Sequence, residues 1–102
     1  MNAPAPELDQ DTATHLYHIA KESITNAVRH GGVSHVSIDL QNGHQGISLV
    51  IADDGDGLPD EQPEGGMGLQ LMRLRAEMIG GYLKVDSKGG FGTRVECRIP
   101  SN

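Results

Sequence analysis

The fold of this chain is decided around residues 47–57, whose sequence is ISLVIADDGDG. Side chains alternate between the two sides of a strand, so the apolar residues of this stretch are predicted to share a buried face with Asp53. That row consists of Ile47, Leu49, Ile51 and Asp53. A carboxylate at the end of a buried row needs hydrogen bonds or a charged partner. A turn is the competing interpretation, because Asp53-Asp54-Gly55 is also a good turn sequence.

The last predicted strand repeats this pattern. Its inward row is Thr93, Val95, Cys97 and Ile99, and its outward row is Arg94, Glu96 and Arg98. Thr93 therefore places a hydroxyl at the end of a second buried row, and Cys97 is interpreted as a small core residue. An Asp and a Thr at strand ends, above an aliphatic core, are typical of the polar floor of a pocket for a flat heterocycle.

Hydrophobic periodicity divides the chain into a helix, two strands, a second helix and two further strands. This order predicts an α+β two-layer sandwich, in which an open sheet carries both helices on one face. Residues 1–11 are rich in Pro, Ala and acidic residues and are predicted to form a linker or disordered end. A single domain is predicted over residues 12–102.

The predicted boundaries come from capping residues, glycines and the alternation of apolar side chains. The first helix is predicted to end near His30, to be capped by Asp11, Thr12 or Thr14, and to bury Leu16, Ile19, Ala20, Ile24, Ala27 and Val28. The second is predicted to bury Leu69, Met72, Ala76 and Ile79 and to stop at Gly80-Gly81. The predicted strands are 36–40 and 46–53 around a turn at 41–44, then 82–86 and 93–99 around a turn at 87–92.

Composition and charge exclude several classes of protein. The 102 residues suit one domain, and their net charge of -6 argues against a surface that coats DNA or RNA. The single cysteine excludes an internal disulfide and a Cys-based zinc cage. No apolar run approaches the roughly 20 residues of a membrane span, and the first residues lack a signal-peptide pattern. We therefore expect a cytoplasmic domain that contacts neither nucleic acid nor membrane.

One face of the first helix and two glycine-rich segments carry the candidate chemistry. Glu22, Asn26 and Arg29 follow one another at spacings of four and three, so they share a face. Carboxylate and amide oxygens suit Mg²⁺ and a guanidinium suits phosphate, while an ordinary solvated helix face is the alternative. The glycines of segments 53–57 and 65–69 allow close backbone approach to a ligand, and the second segment opens a helix. The dinucleotide fingerprint, the Walker loop and the EF-hand loop are all absent from the sequence.

The order of these motifs resembles that of the Bergerat-fold (GHKL) ATPases, the superfamily of DNA gyrase, the ninety-kilodalton heat-shock chaperone, histidine kinases and MutL. Within it, KESITNAVRH at 21–30 is similar to the N box of the nitrate-sensor-type histidine kinases. LMRLRA at 71–76 and GFGTRV at 90–95 resemble the same group, and the resemblance covers residues 14–100. It implies a two-layer α/β sandwich with a mixed sheet and the helices on one face.

The resemblance also implies the residues of a phosphate end. Asn26 would ligate Mg²⁺, and Glu22 would be the general base and a possible second ligand. Arg29 would contact phosphate, with His30 beside it. Gly66, Gly68 and Leu69 would shape this end and the lid, which would be residues 58–65.

An adenine end is implied in the same way. Asp53 would accept a hydrogen bond from the adenine amino group, assisted by Thr93, and Gly55 and Gly57 would let the base lie against the backbone. The acidic residues of the intervening loop depart from the family pattern. They are Asp54, Asp56, Asp60 and Glu61. Like-charge repulsion there predicts weaker nucleotide binding in the absence of Mg²⁺.

None of the five histidines has the sequence context of a phosphoacceptor. The resemblance therefore implies the ATP- and Mg²⁺-binding catalytic domain of a two-component sensor histidine kinase, with the phosphoacceptor histidine on a dimerisation domain absent from this chain. That domain and the receiver domain of a response regulator would be its partners, and the isolated domain would be a monomer. Two alternatives stay open, an anti-sigma-factor-type serine kinase and a non-catalytic nucleotide-sensing domain of the same fold.

Overall fold

The computed structural model describes residues 8–29, 34–55, 66–88 and 92–101 and contains two helices and four strands in those ranges. Their order is that predicted from the sequence, and the α+β class is confirmed. The elements are α1 (Gln10–Arg29), β1 (Val36–Gly43), β2 (Gly46–Asp53), α2 (Gly66–Met78), β3 (Tyr82–Lys88) and β4 (Gly92–Pro100).

The cap of α1 is Asp9, so the predicted caps Asp11, Thr12 and Thr14 were wrong. Oδ1 of Asp9 accepts a hydrogen bond from the backbone N–H of Thr12 at 2.8 Å, and Oδ2 accepts one from its hydroxyl at 3.0 Å. The first of these bonds satisfies a backbone donor that the first helical turn leaves unpaired. Both bonds also lower the pKa of the Asp9 carboxyl, because they favour its charged form.

The buried side of α1 differs from the predicted stripe at two positions. Ser23 is buried, because its hydroxyl donates to the carbonyl oxygen of Ile19 at 2.8 Å and lies 3.5 Å from Sδ of Met72. Val28 is exposed, because it follows Ile19 by nine residues, about two and a half turns, and so points the opposite way. The rest of the stripe is buried or partly buried as predicted.

The sheet has the strand order β1-β2-β4-β3, and every neighbouring pair is antiparallel. The mixed sheet that the resemblance implied is therefore not seen among the described strands. The reason is topological: β2 and β3 run in the same direction on either side of the α2 connection, but β4 lies between them. Both helices pack on one face, α1 mainly against β2 and α2 mainly against β3.

The hairpin between β1 and β2 turns at His44 and Gln45, later than the predicted turn at 41–44, because β1 continues to a closing pair of Gly43 and Gly46. The prediction of a half-buried β1 was also wrong for most of its length. Ile38 and Leu40 are 53% and 49% exposed, although they pair with buried residues of β2. Neither helix packs over this edge strand, so its apolar side chains stay uncovered.

The second helix ends in a glycine cap, as predicted. The N–H of Gly81 donates to the carbonyl oxygen of Ala76 at 2.8 Å, and Gly80 has a φ of 80°. Glycine adopts this left-handed conformation without the strain of a Cβ. The predicted core face of α2 is confirmed, with Met72 and Ala76 fully buried. Among the described residues, neither helix is long and apolar enough to cross a membrane.

The two buried rows predicted for β2 and β4 lie side by side under the helices. Leu49 pairs with Cys97 and Ile51 pairs with Val95, and all four are buried. The next positions in this register are Asp53 and Thr93, which brings the polar ends of the two rows together.

Cys97 provides a probe of how often this core opens. Burial removes the Cys97 thiol from solvent and raises its pKa to about 11, so the reactive thiolate is scarce at neutral pH. We expect a thiol reagent such as dithionitrobenzoate to label the folded chain only as fast as the domain unfolds. In concentrated guanidinium the chain is unfolded, so the absorbance change that reports labelling should be immediate. Immediate labelling of one thiol under native conditions would contradict the buried position.

Candidate nucleotide site

Asp53 ends β2 with its side chain half-buried and held by backbone donors. Its Oδ1 accepts a hydrogen bond from the N–H of Gly55 at 2.9 Å and another from the N–H of Thr93 at 3.3 Å. The bond from Gly55 stabilises a local turn, which is the alternative interpretation of the sequence. The bond from Thr93 connects β2 to β4. The two interpretations of the sequence are therefore both correct, since the same carboxylate ends the buried row and orders the turn.

Gly92 fixes the backbone of β4 against that of β2 at this point. Its φ is 85°, and a Cβ at this position would overlap the carbonyl oxygen of Asp53 and lie 3.2 Å from Cα of Asp54. The two strands approach each other this closely because residue 92 has no side chain. Gly55 is buried beside Asp53. The Asp53 carboxylate is thus held in one position by its surroundings.

Asp54 is directed away from Asp53 and stabilises the start of β1. Its Oδ1 accepts hydrogen bonds from the N–H groups of Ser34 and His35 at 2.7 and 2.9 Å, and its Oδ2 lies 3.3 Å from Nδ1 of His35. These contacts lower the pKa of the Asp54 carboxyl, the bond from His35 most of all. Asp54 therefore has a structural partner and is not simply part of an acidic loop.

The lowered pKa predicts a loss of stability in acid. A carboxyl whose pKa is lower in the folded state than in the unfolded state, where it is near 4, stabilises the folded state at pH values above that unfolded pKa. This contribution is lost as the pH falls through the pKa of the folded state. We expect Asp54→Asn to lower the urea midpoint at pH 7 and to flatten its fall between pH 5 and pH 3. Asp9 contributes in the same direction and remains in both chains. If the urea midpoint depended on pH in the same way in both chains, the stabilising role of the Asp54 carboxylate would be contradicted.

The predicted face of α1 lies partly against the start of α2. Glu22 and Asn26 are half-buried and Arg29 is exposed. The Glu22 carboxylate approaches Gly68 so closely that a Cβ there would overlap Oε1. None of the three side chains has a hydrogen bond or ion pair within the described part of the chain. The N-box carboxylate and the second glycine segment are thus neighbours in space.

Two further contacts define how the helices pack. Ser23 lies against Met72, and Nη1 of Arg75 lies 3.2 Å from Nδ1 of His15. From the first contact to the second, the residue number increases on α2 and decreases on α1, so the two helices run antiparallel. Leu69 is half-buried against the core and fixes the first turn of α2.

Several predicted site residues lie outside the described residues or are described in part. His30, Gly57 and the predicted lid at 58–65 lie outside them, and Gly66 is described only as the first residue of α2. Within the described ranges, no three His, Cys, Asp or Glu side chains form a cluster that could hold a metal ion. Asn26 and Glu22 nevertheless fit Mg²⁺, which takes few protein oxygens when phosphates and water complete its shell.

Sequence reasoning missed two features of this region. Leu71, Leu74 and Met78 form an exposed apolar stripe on α2, between 51% and 63% exposed. Their spacing of three and four residues, off the predicted core face, was a signal that could have identified it. Lys21 and Arg75 line a groove between the helices, and no sequence signal links them.

Comparison with known proteins identifies the family. Residues 11–102 match the family model described as histidine kinase-, DNA gyrase B- and HSP90-like ATPase. The nitrate/nitrite sensor protein NarQ of Escherichia coli is 36% identical over 100 residues, which cover 96% of this chain and 18% of NarQ. The sensor protein VraS of Staphylococcus epidermidis is 36% identical over 97 residues, which cover 94% of this chain and 28% of VraS.

A solved structure, the ATP binding domain of PrrB from Mycobacterium tuberculosis, has the same fold. Its TM-score is 0.71 at 26% identity, with 98% of this chain and 77% of that chain covered. The chain spans less than a third of the curated relatives it matches. These similarities confirm the resemblance inferred from the motifs. The chain belongs to the histidine kinase-, DNA gyrase B- and HSP90-like ATPase family.

Proposed function

We propose that this chain is the ATP-binding catalytic domain of a two-component sensor histidine kinase. The observation that carries the proposal is the Asp53 carboxylate, held by the N–H groups of Gly55 and Thr93 at the end of a buried row. The similarity to NarQ and VraS, which are both sensor proteins, supports the same assignment. The domain would work in the cytoplasm.

At the adenine end, Asp53 supplies a fixed acceptor for the exocyclic amino group. The backbone donors keep this carboxylate oriented, and a hydrogen bond to a carboxylate is stronger than one to a neutral acceptor. Thr93 assists at the neighbouring strand end. Gly55 and Gly57 have no side chain and would let the flat face of the base lie against the backbone.

At the phosphate end, the residues of α1 and of the start of α2 hold the triphosphate. Asn26 would ligate Mg²⁺, with Glu22 as a candidate second ligand, and Arg29 and His30 would contact phosphate. Bound Mg²⁺ would neutralise phosphate charge and so offset the acidic balance of the chain. Gly66 and Gly68 bring backbone N–H groups of the α2 N-terminus to the phosphates, and Leu69 anchors that turn.

The reaction is an in-line transfer of the γ-phosphoryl group to a histidine. A nitrogen of the acceptor imidazole forms a bond to the γ-phosphorus while the bond from phosphorus to the bridging oxygen breaks and ADP leaves with that electron pair. The Glu22 carboxylate takes the imidazole proton. It is available for this role because it forms no ion pair within the described part of the chain. The phosphoryl group then passes to the receiver domain of a response regulator.

The acceptor histidine comes from a dimerisation domain, which we place on the exposed stripe of α2. Leu71, Leu74 and Met78 are exposed apolar side chains at helical spacing, which is the kind of surface that an amphipathic helix packs against. The stripe begins one turn after Gly68, so a helix docked on it brings side chains towards Glu22. Without that partner the isolated domain is a monomer.

Calorimetric titration with ATP tests the nucleotide site. We expect the chain to bind ATP more tightly with Mg²⁺ than without it, and Asp53→Asn to weaken binding by about 10- to 100-fold, the value of a charge-assisted hydrogen bond. Asp39→Asn is the matched control, because it removes the same charge from an exposed residue of β1.

The control should leave the affinity for ATP unchanged. Equal affinities for the original chain and Asp53→Asn would refute the adenine assignment. No binding at millimolar ATP with Mg²⁺ would instead favour a non-catalytic domain of the same fold.

A further inference from the structure

The groove between α1 and α2 contains two cations that the proposed nucleotide site does not use. A cavity of about 210 Å³ lies between the helices, and its walls include His18, Lys21, Glu22, Leu71 and Arg75. Small-molecule pockets usually measure about 300–1,000 Å³. This cavity therefore suits one or two side chains of a protein partner better than it suits a cofactor.

In the part of the chain that the structure describes, neither Lys21 nor Arg75 has an acidic partner, although acidic residues outnumber basic ones in the sequence by 14 to 8. Within the described ranges, no carboxylate lies at ion-pair distance from Lys21 or Arg75. Nη1 of Arg75 lies 3.2 Å from Nδ1 of His15, which orients the guanidinium without neutralising it. The Glu22 carboxylate in the same groove is directed to Gly68. Two uncompensated positive charges beside a groove favour an anionic partner group.

The helix geometry sets the distance between these charges and Glu22. Glu22 contacts Gly68, and Arg75 follows Gly68 by seven residues, about 10 Å at 1.5 Å per residue. His15, the neighbour of Arg75, precedes Glu22 by the same seven residues on α1. On an acceptor helix that runs along this groove, an imidazole at Glu22 would therefore have Arg75 one to two turns away, and Lys21 lines the same groove.

We infer, building on the proposed function, that Lys21 and Arg75 select an acceptor helix that carries a carboxylate one to two turns from its phosphorylated histidine. The exposed stripe of α2 takes the apolar side of this helix, and the two cations bind its polar side. The planar guanidinium of Arg75 can form two parallel hydrogen bonds to a carboxylate, which adds geometric selectivity. The pair thus determines which histidine is phosphorylated rather than how fast the transfer occurs.

Three amphipathic helical peptides test this selection. They share one histidine and one apolar stripe, and they carry Glu, Gln or Lys at four and seven residues on each side of the histidine. With Mg²⁺ and ATP, we expect kcat/KM for phosphohistidine formation to be about tenfold higher for the Glu peptide than for the Gln peptide, through KM. The Lys peptide should be the poorest substrate.

Charge reversal provides the decisive comparison. In Lys21→Glu, and more strongly in the double variant with Arg75→Glu, the preference should shift to the Lys peptide. Lys84→Glu is the matched control, because it reverses a charge on the exposed side of β3, and it should keep the preference for the Glu peptide. Calorimetry should give the same ATP affinity for all these chains.

Three results would overturn the inference. They are equal kcat/KM values for the Glu and Gln peptides, an unchanged preference in the charge-reversal variants, and phosphorylation of none of the peptides by a chain that binds ATP. Failure of the unaltered chain to bind ATP would instead overturn the proposed function, so the two failures are distinguishable.

Discussion

Glu22→Gln is expected to reduce phosphoryl transfer by about 10²- to 10⁴-fold while ATP still binds. This range is typical of removing a general base. Glutamine has the same shape as glutamate, so it can occupy the position beside Gly68 without disturbing the packing of α1 on α2. It cannot take a proton from imidazole. Phosphohistidine formed on the Glu peptide, measured at saturating ATP and Mg²⁺, reports the effect.

The environment of Glu22 makes this prediction specific. The carboxylate is half-buried and has no ion pair within the described part of the chain, so it is not merely a salt-bridge partner. Glu77→Gln, an exposed change on α2, is the matched control and should leave the rate unchanged. A rate within threefold of the original chain for Glu22→Gln would contradict the base role. A parallel loss of ATP affinity would assign Glu22 to Mg²⁺ binding instead.

The buried rows of the sheet could be predicted because strand alternation is a local property. Leu49 and Ile51 in β2, and Val95 and Cys97 in β4, are all buried on the predicted side. The outer strand was harder, because alternation gives the direction of a side chain but not whether a helix covers it. Ile38 and Leu40 have the direction of core residues and remain exposed, since α1 packs over β2 and not over β1.

The helix errors have a similar origin. Val28 is apolar and was included in the predicted stripe, but its position around the helix axis points it towards solvent. Ser23 is polar and yet buried, because its hydroxyl donates a hydrogen bond to the carbonyl oxygen of Ile19. Hydrophobicity alone does not distinguish these cases, because a hydroxyl that bonds within its own helix loses little on burial.

The candidate site could be predicted where its residues lie close in sequence or in register. Asp53 and Thr93 end adjacent rows, so their proximity follows from strand pairing once the sheet is known. The partners of Asp54 and Arg75 could not be predicted, because His35 and His15 reach them only through the three-dimensional packing. Their roles depend on contacts between segments that are 19 and 60 residues apart.

Gly92→Ala is expected to lower the free energy of unfolding by about 2–4 kcal/mol, because it adds left-handed backbone strain to a steric overlap. At this φ of 85°, the new Cβ would meet the carbonyl oxygen of Asp53, a backbone atom that cannot move without shifting β2. Such a loss is a large share of the roughly 5–15 kcal/mol typical of a domain. Urea denaturation followed by circular dichroism measures it.

The same substitution should weaken ATP binding, because a shift of β4 moves the N–H of Thr93 away from the Asp53 carboxylate. Gly43→Ala is the matched control: Gly43 lacks a positive φ, and a Cβ there meets no atom within 4 Å. We expect it to change stability by less than about 0.5 kcal/mol and to leave ATP affinity unchanged. If Gly92→Ala and Gly43→Ala had equal stabilities, β4 would not approach β2 as described, and the fixed orientation of Asp53 would need another cause. If Gly92→Ala were destabilised but bound ATP normally, Thr93 would be dispensable for holding the carboxylate.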